Sequence, residues 1–219
     1  MKVYHYSVGR SGCTFISQVL VGVFGRDSVE AGHEPYLLES GQPVIVSVRD
    51  FRDVVLSYWR VQNDIPFKDI ERGRKASLKD IEPQLTFVKH SIEQHLGPTV
   101  HNNDRSLLLR YEEFFPDKFD FIFAEFERFF DIKVGKKKRK ELQQAYSFKR
   151  NKYKASKMQS FQQYDKEFIH GLHLHNGKVG GWQDLLQQDY HQALNQQLAT
   201  ELKDWGYSCS ADWAEAAGR

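Results

Sequence analysis

The sequence predicts an α/β fold with a central parallel sheet and helices on both of its faces. Three observations predict it. Residues 2–8 and Val44–Val48 are short apolar runs, rich in β-branched and aromatic residues, of the kind that form strands buried on both faces. Each run is followed at once by apolar residues at helical spacing. Ser106–Arg110 repeats the strand pattern further along, after another helical stretch. Strands alternating with helices need crossover connections, and crossovers make neighbouring strands parallel.

The elements are expected in this order. A first strand covers 2–8 and a helix 14–24, separated by a glycine-punctuated turn. Residues 25–43 are polar and carry Gly25, Gly32, Pro35, Gly41 and Pro43, which predicts a loop with little regular structure. Val44–Val48 is an interior strand, and Asp50 is placed to cap a helix that starts near Phe51 and ends before Pro66. Residues 68–82 are charged and poorly periodic, so a mobile surface segment is expected there. A helix over about 83–96 carries Leu85, Val88, Ile92 and Leu96 and is expected to stop at Gly97-Pro98. After the strand Ser106–Arg110 come an aromatic amphipathic helix from Pro116 to Phe130 and a basic helix from Lys136 to about Phe148. Residues 150–176 read as largely irregular, and 150–180, rich in glycine, as a cover over the site. A last helix is expected from about Asp184 to Trp205.

With 219 residues the chain can build one sizeable core, so 1–219 is read as a single domain. Its net charge of +2 is too small to argue for binding to nucleic acid or to a membrane by bulk electrostatics. No apolar run approaches bilayer length, and the chain opens directly on a strand pattern, so neither a membrane partner nor a signal peptide is expected. The two cysteines, Cys13 and Cys209, lack metal-ligand spacing and point to a reducing compartment, hence a cytoplasmic protein. The aromatic share of 14% is read as helix packing. The run Lys136–Lys140 is read as a solvated helix start. His170, His173 and His175 lack carboxylate or thiolate partners nearby, and no metal site is expected.

Two segments carry the chemistry. Gly9-Arg10-Ser11-Gly12-Cys13-Thr14 follows the first strand and opens a helix, which suits an anion held by backbone N–H groups at a helix N-terminus. It is not the nucleotide-binding loop G-x-x-x-x-G-K-S/T: its glycines are too close together, and no lysine precedes the Ser/Thr. In the second segment, Arg49 stands at the carboxyl end of a parallel strand, where ligands of open α/β sheets bind, with Ser57 eight residues on. A guanidinium and a hydroxyl there suit a second anion, with a surface ion pair from Arg49 to Asp50 or Asp53 as the duller reading. Two anion grips point to a ligand with two separate phosphate positions.

At these residues the chain resembles the sulfotransferases that use 3′-phosphoadenosine 5′-phosphosulfate (PAPS). Gly-Arg-Ser-Gly-Cys-Thr-Phe is similar to the family's 5′-phosphosulfate loop, which commonly reads Thr-Thr where this chain has Cys13-Thr14. Arg49 to Tyr58 is similar to the 3′-phosphate motif, with the same Arg-to-Ser interval. Leu109-Arg-Tyr-Glu-Glu113, Tyr146-Ser-Phe148 and Asn176-Gly-Lys-Val-Gly-Gly-Trp182 resemble three further family stretches in the same order.

The resemblance implies a P-loop NTPase-like α/β fold, PAPS as co-substrate, 3′,5′-adenosine bisphosphate (PAP) as product, and no metal. It implies sulfuryl transfer by in-line displacement to a hydroxyl or amine of a small-molecule or glycan acceptor. Arg10 is then the group beside the leaving oxygens, Ser11, Gly12, Cys13 and Thr14 hold the 5′-phosphate, and Arg49 with Ser57 holds the 3′-phosphate. Phe15 and Phe148 flank adenine, Tyr111 belongs to the same donor site, and Gly177 with Lys178 stands for the late phosphate loop. His33, in Gly32-His-Glu-Pro35, is the implied general base, with Glu34 and Glu39 as rivals. Departures from the pattern fall at Ala31, where the family has lysine, at the short interval before His33, and at His175-Asn176, where it has Arg-Lys. The alternatives are a PAPS-binding protein without turnover and a phosphotransferase of the same architecture.

Overall fold

The computed structural model describes residues 1–33, 41–171, 174 and 176–209. Four strands, β1 (Val3–Ser7), β2 (Val29–Gly32), β3 (Val44–Val48) and β4 (Ser106–Arg110), form one sheet in the order β2-β1-β3-β4. All three pairings are parallel, with Tyr4 opposite Val44 and Val44 opposite Ser106 setting the register of the centre. The central strand β3 is buried throughout, as its β-branched residues, interrupted only by Ser47, suggest.

Side chains alternate across the sheet and feed two cores. One face carries Tyr6, Val44, Val46 and Val48, which pack with α2 (Phe51–Gln62), α4 (Leu78–Ser91) and the C-terminal turns. The other carries Val3, Ile45, Leu107 and Leu109, which pack with α1 (Cys13–Phe24), α7 (Phe119–Phe130) and α8 (Lys136–Tyr146). The Phe-rich face of α7 is the main filler of this second core: Phe119, Phe123, Phe126 and Phe130 are all buried. Much of the aromatic content is therefore packing.

Smaller helices complete the chain: α3 (Phe67–Glu71), α5 (Gly97–His101), α6 (Tyr111–Phe114), α9 (Phe148–Ala155), α10 (Trp182–Leu185), α11 (His191–Gln197) and α12 (Ala199–Asp204). Several depart from the sequence expectation. Within 25–43, β2 is a true edge strand, hidden in the sequence because only Val29 of its four residues is buried. The charged stretch 68–82 is partly helical, and α4 starts early because Ser77 and Asp80 form a reciprocal capping box. Gly97-Pro98 does not stop that region, since a π-turn over Ile92–Leu96 leads into α5 with the proline in its first turn. Phe115-Pro116 is a cis peptide, and it separates α6 from an α7 that begins only at Phe119. The basic helix ends at Tyr146, and Ser147 caps a separate α9. The expected C-terminal helix is broken into α10, a 3₁₀ turn, α11 and α12.

Candidate active site

Because the four strands are parallel, their carboxyl ends lie along one edge, and each delivers one piece of the site. β1 leads into the loop Gly9–Gly12, β2 into His33, β3 into Arg49 and β4 into Tyr111. The chain order reverses between β1 and β3, the switch point at which open α/β sheets bind ligands.

The loop turns sharply. Arg10 (φ 73°) and Gly12 (φ 78°) both adopt left-handed backbone, and Gly12 is the N-cap of α1. A Cβ on Gly12 would come within 2.8 Å of the Phe114 ring, so the close approach of β4's following turn also demands glycine. Ser11 is fully buried, and its Oγ has no hydrogen-bond partner among the described residues. Thr14, read as an anion donor, instead gives its hydroxyl to the Phe168 carbonyl at 3.3 Å, drawing the 156–171 segment onto the start of α1.

Arg49 is nearly buried. Its Nη2 donates to Asp53 Oδ2 (3.0 Å) and to the Lys178 carbonyl (2.9 Å), and its guanidinium lies 4.3 Å from the Tyr111 ring centre. Its Nε is buried without a partner among the described residues. Ser57 does not bond Arg49: its Oγ accepts from Arg10 Nε at 3.0 Å. Asp53, Ser57 and Arg60 form one face of α2 at helical spacing, and all three line the same cavity as Arg10, Arg49 and Tyr111. That cavity is about 230 Å³. Arg60 was missed in the sequence although its spacing from Ser57 points to it. Burial, then the charge of Arg10, lowers its pKa to about 9.

The late loop closes the other wall of this cavity through Gly177 and Lys178. Tyr111 Oη donates to the Gly177 carbonyl at 2.8 Å. Lys178 Nζ is paired with Asp184 at 2.8 Å, both residues lining this cavity, and what it offers Arg49 is its carbonyl. A narrow aromatic slot lined by Gly12, Phe15, Tyr111, Phe115 and Phe148 adjoins this region. Phe115 stacks on Tyr111 with ring centres 4.8 Å apart, and Phe148 meets Phe115 edge-on.

His33 lies on the opposite side of Arg10. Its Nδ1–H donates to the Ser7 carbonyl at 2.9 Å, which leaves Nε2 as the ring's other nitrogen for chemistry. The ring is hydrogen-bonded to the Cys13 thiol. Desolvation opposes protonation of His33, but the Cys13 contact and the Ser7 carbonyl outweigh it and raise its pKa to about 9. Burial alone would raise the Cys13 thiol, yet the His33 hydrogen bond, its charge, Arg10 and Ser7 bring it down to about 6. Each group thus favours the charged form of the other. Arg10, Cys13, His33, Tyr58, Phe161 and His170 line a second cavity of about 310 Å³. Beneath it His5 is buried neutral between Ser17 (2.8 Å) and Ser47 (3.0 Å), its pKa lowered by burial to about 3.

Glu34, Glu39, His173 and His175 lie outside the described residues. Among the described residues no group of side chains is arranged to hold a metal, and no helix is long and apolar enough to cross a membrane.

Comparisons with known proteins bear on the fold and the family. No curated protein sequence matches the chain. Among solved structures, a mouse sulfotransferase, SULT7A1, complexed with PAP superposes with a TM-score of 0.63 at 15% identity, covering 99% of this chain and 87% of that one. A retinol dehydratase in complex with androsterone and the inactive cofactor PAP gives 0.59 at 15% identity, covering 93% and 81%. The family model described as the sulfotransferase domain matches residues 31–206, which run from the end of β2 beyond the last helix, and the chain belongs to that family.

Proposed function

We propose that this chain transfers a sulfuryl group from PAPS to the hydroxyl or amine of a small acceptor held against His33. One observation carries the reading: Arg10 stands between two cavities of opposite character. On one side lie Arg49, Ser57, Arg60 and a glycine loop at a helix N-terminus, groups that seek anions. The fit to a donor with two phosphates rests on the orphaned Ser11 Oγ and Arg49 Nε, buried polar groups of the kind a bound ligand satisfies. On the other side lie a basic imidazole and aromatic walls. A volume of about 310 Å³ is in the range of small-molecule sites, and Tyr58, Phe161 and Phe168 suit a flat, largely apolar acceptor.

In-line transfer needs the acceptor oxygen on one side of the sulfur and the leaving oxygen on the other, with charge stabilised between them. Arg10 is the cation positioned for that charge, and Ser57 holds its guanidinium in place. His33 takes the acceptor's proton once it is neutral.

The test is calorimetric binding of PAP beside 5′-AMP and ADP, on wild type and Arg49→Ala. Preferential binding of PAP that Arg49→Ala erases supports the reading. Equal binding of all three, or binding of none, rejects it.

A further inference from the structure

We propose that Arg60 is the cation that reads the donor's 3′-phosphate, in place of the basic pair that the family carries in its late loop and this chain lacks. The inference rests on the donor reading above and names the residue that makes that site selective.

Among the described residues the late loop offers the cavity no uncommitted cation. Where the family has Arg-Lys, the sequence has His175-Asn176. His175 lies outside the described residues. Asn176 carries no charge, and its Oδ1 accepts the Lys178 N–H of its own loop at 3.1 Å. Lys178 Nζ is paired with Asp184 at 2.8 Å. Toward Arg49 the loop turns the Lys178 carbonyl, a group that repels an anion.

The opposite wall makes up the difference. Arg60 lies about one helical turn beyond Ser57 on α2, and both line the cavity of about 230 Å³ that Asn176, Gly177 and Lys178 close from the other side. Arg60 is 2% exposed, so its charge sits away from bulk water, where an anion attracts it most strongly. Among the described residues lining this cavity, the four cations Arg10, Arg49, Arg60 and Lys178 outnumber the two carboxylates Asp53 and Asp184. Both carboxylates are committed, Asp53 to Arg49 and two backbone N–H groups, Asp184 to Lys178. The excess of two positive charges matches a phosphate monoester, which carries close to two negative charges at neutral pH. A 3′-hydroxyl meets none of that excess. Burial, then the charge of Arg10, lowers the Arg60 pKa to about 9, which leaves it a cation at neutral pH. A phosphate beside both guanidiniums relieves the repulsion between them. Arg49 Nε, buried without a partner among the described residues, is a further donor for the same group.

Calorimetric binding of PAP and 5′-AMP to the full chain, in wild type, Arg60→Gln, Arg60→Lys and Arg49→Ala, tests this. The two ligands differ only in the 3′-phosphate. The ratio of their affinities therefore isolates what the protein gives that group, and a general structural effect of a variant cancels in it. Wild type is expected to prefer PAP. Arg60→Gln is expected to lower PAP affinity about tenfold or more and 5′-AMP affinity less than about twofold. Arg60→Lys should recover part of the preference, since it keeps the charge and loses the planar fork. An Arg60→Gln variant with native circular dichroism and the wild-type preference overturns the inference, whether or not both affinities fall together. Should Arg60→Gln fail to fold, Arg60→Lys decides: a preference reduced about threefold or more supports the inference, and an unchanged one overturns it. Failure of the donor reading looks different, because wild type itself then binds PAP and 5′-AMP alike, and the inference falls with it. If Arg49→Ala erases the preference and Arg60→Gln does not, Arg60 alone is removed and the donor reading stands.

Discussion

Asp53 Oδ1 accepts the backbone N–H of Trp182 at 2.7 Å, joining residues 129 positions apart in the chain. The other oxygen accepts from Gly180 N–H and from Arg49, both at 3.0 Å. One buried carboxylate thus ties the late glycine loop to the first turn of α2 and orients the arginine between them. Removing it leaves Arg49 with no paired carboxylate among the described residues and takes the acceptor from two amides. Asp53→Ala is expected to destabilise the protein by about 3–5 kcal/mol, the usual effect of breaking a buried pair, and Asp53→Asn by less. Urea unfolding midpoints check this, and equal midpoints for wild type and Asp53→Ala reject the tie.

Arg10 is expected to act on the transition state more than on binding. Arg10→Ala should lower kcat by roughly 10²–10³, as removal of one charge-stabilising donor does, with PAP affinity changed far less. Steady-state kinetics beside PAP calorimetry separate the two. A loss confined to PAP affinity places Arg10 in binding alone.

His33→Ala should lower turnover by roughly 10²–10⁴ and leave PAP affinity close to wild type. The same variant judges the alternative of a PAPS-binding protein without turnover: if acceptor sulfation by PAPS persists at the wild-type rate, His33 is not the base.

Glu112 carries a pH dependence of stability. Its Oε1 accepts from Asp50 N–H at 2.9 Å and its Oε2 from Tyr207 Oη at 3.3 Å. Burial raises its pKa from 4.5 to about 7. A raised carboxyl pKa means the folded state binds the proton more tightly, so its contribution is complete below pH 4.5. The contribution is lost as pH rises through about 7, and can reach about 3 kcal/mol. Wild type should therefore lose stability from pH 5 to 8 relative to Glu112→Gln, measured by unfolding midpoints across that range. Parallel pH profiles would refute it.

What was legible in the sequence was local. The strand patterns at Val44–Val48 and Ser106–Arg110 and the start of α2 at Asp50 were readable because periodicity and capping act over a few residues. The loop Gly9–Gly12 was readable because left-handed backbone calls for glycine there. The edge strand β2 was not, since a strand buried on one residue lacks the apolar run that marks a strand. The irregular stretch after Ser156 was legible, but α9 before it was not, nor that the stretch lies back over α1 through contacts such as Gln18 to the Glu167 carbonyl.

The sequence by itself determined the α/β class and the glycine turn after the first strand. Each of these depends on side-chain type and short-range spacing. Only the tertiary structure decided who pairs with whom. Ser57 holds Arg10 rather than Arg49, Lys178 pairs with Asp184, Arg60 joins the cavity of Arg10 and Arg49, and Cys13 shares a second cavity with His33. The physical reason is that a parallel sheet gathers the ends of four strands along one edge. Hydrogen bonds and charges there are settled by distances between residues tens of positions apart, which no local pattern records.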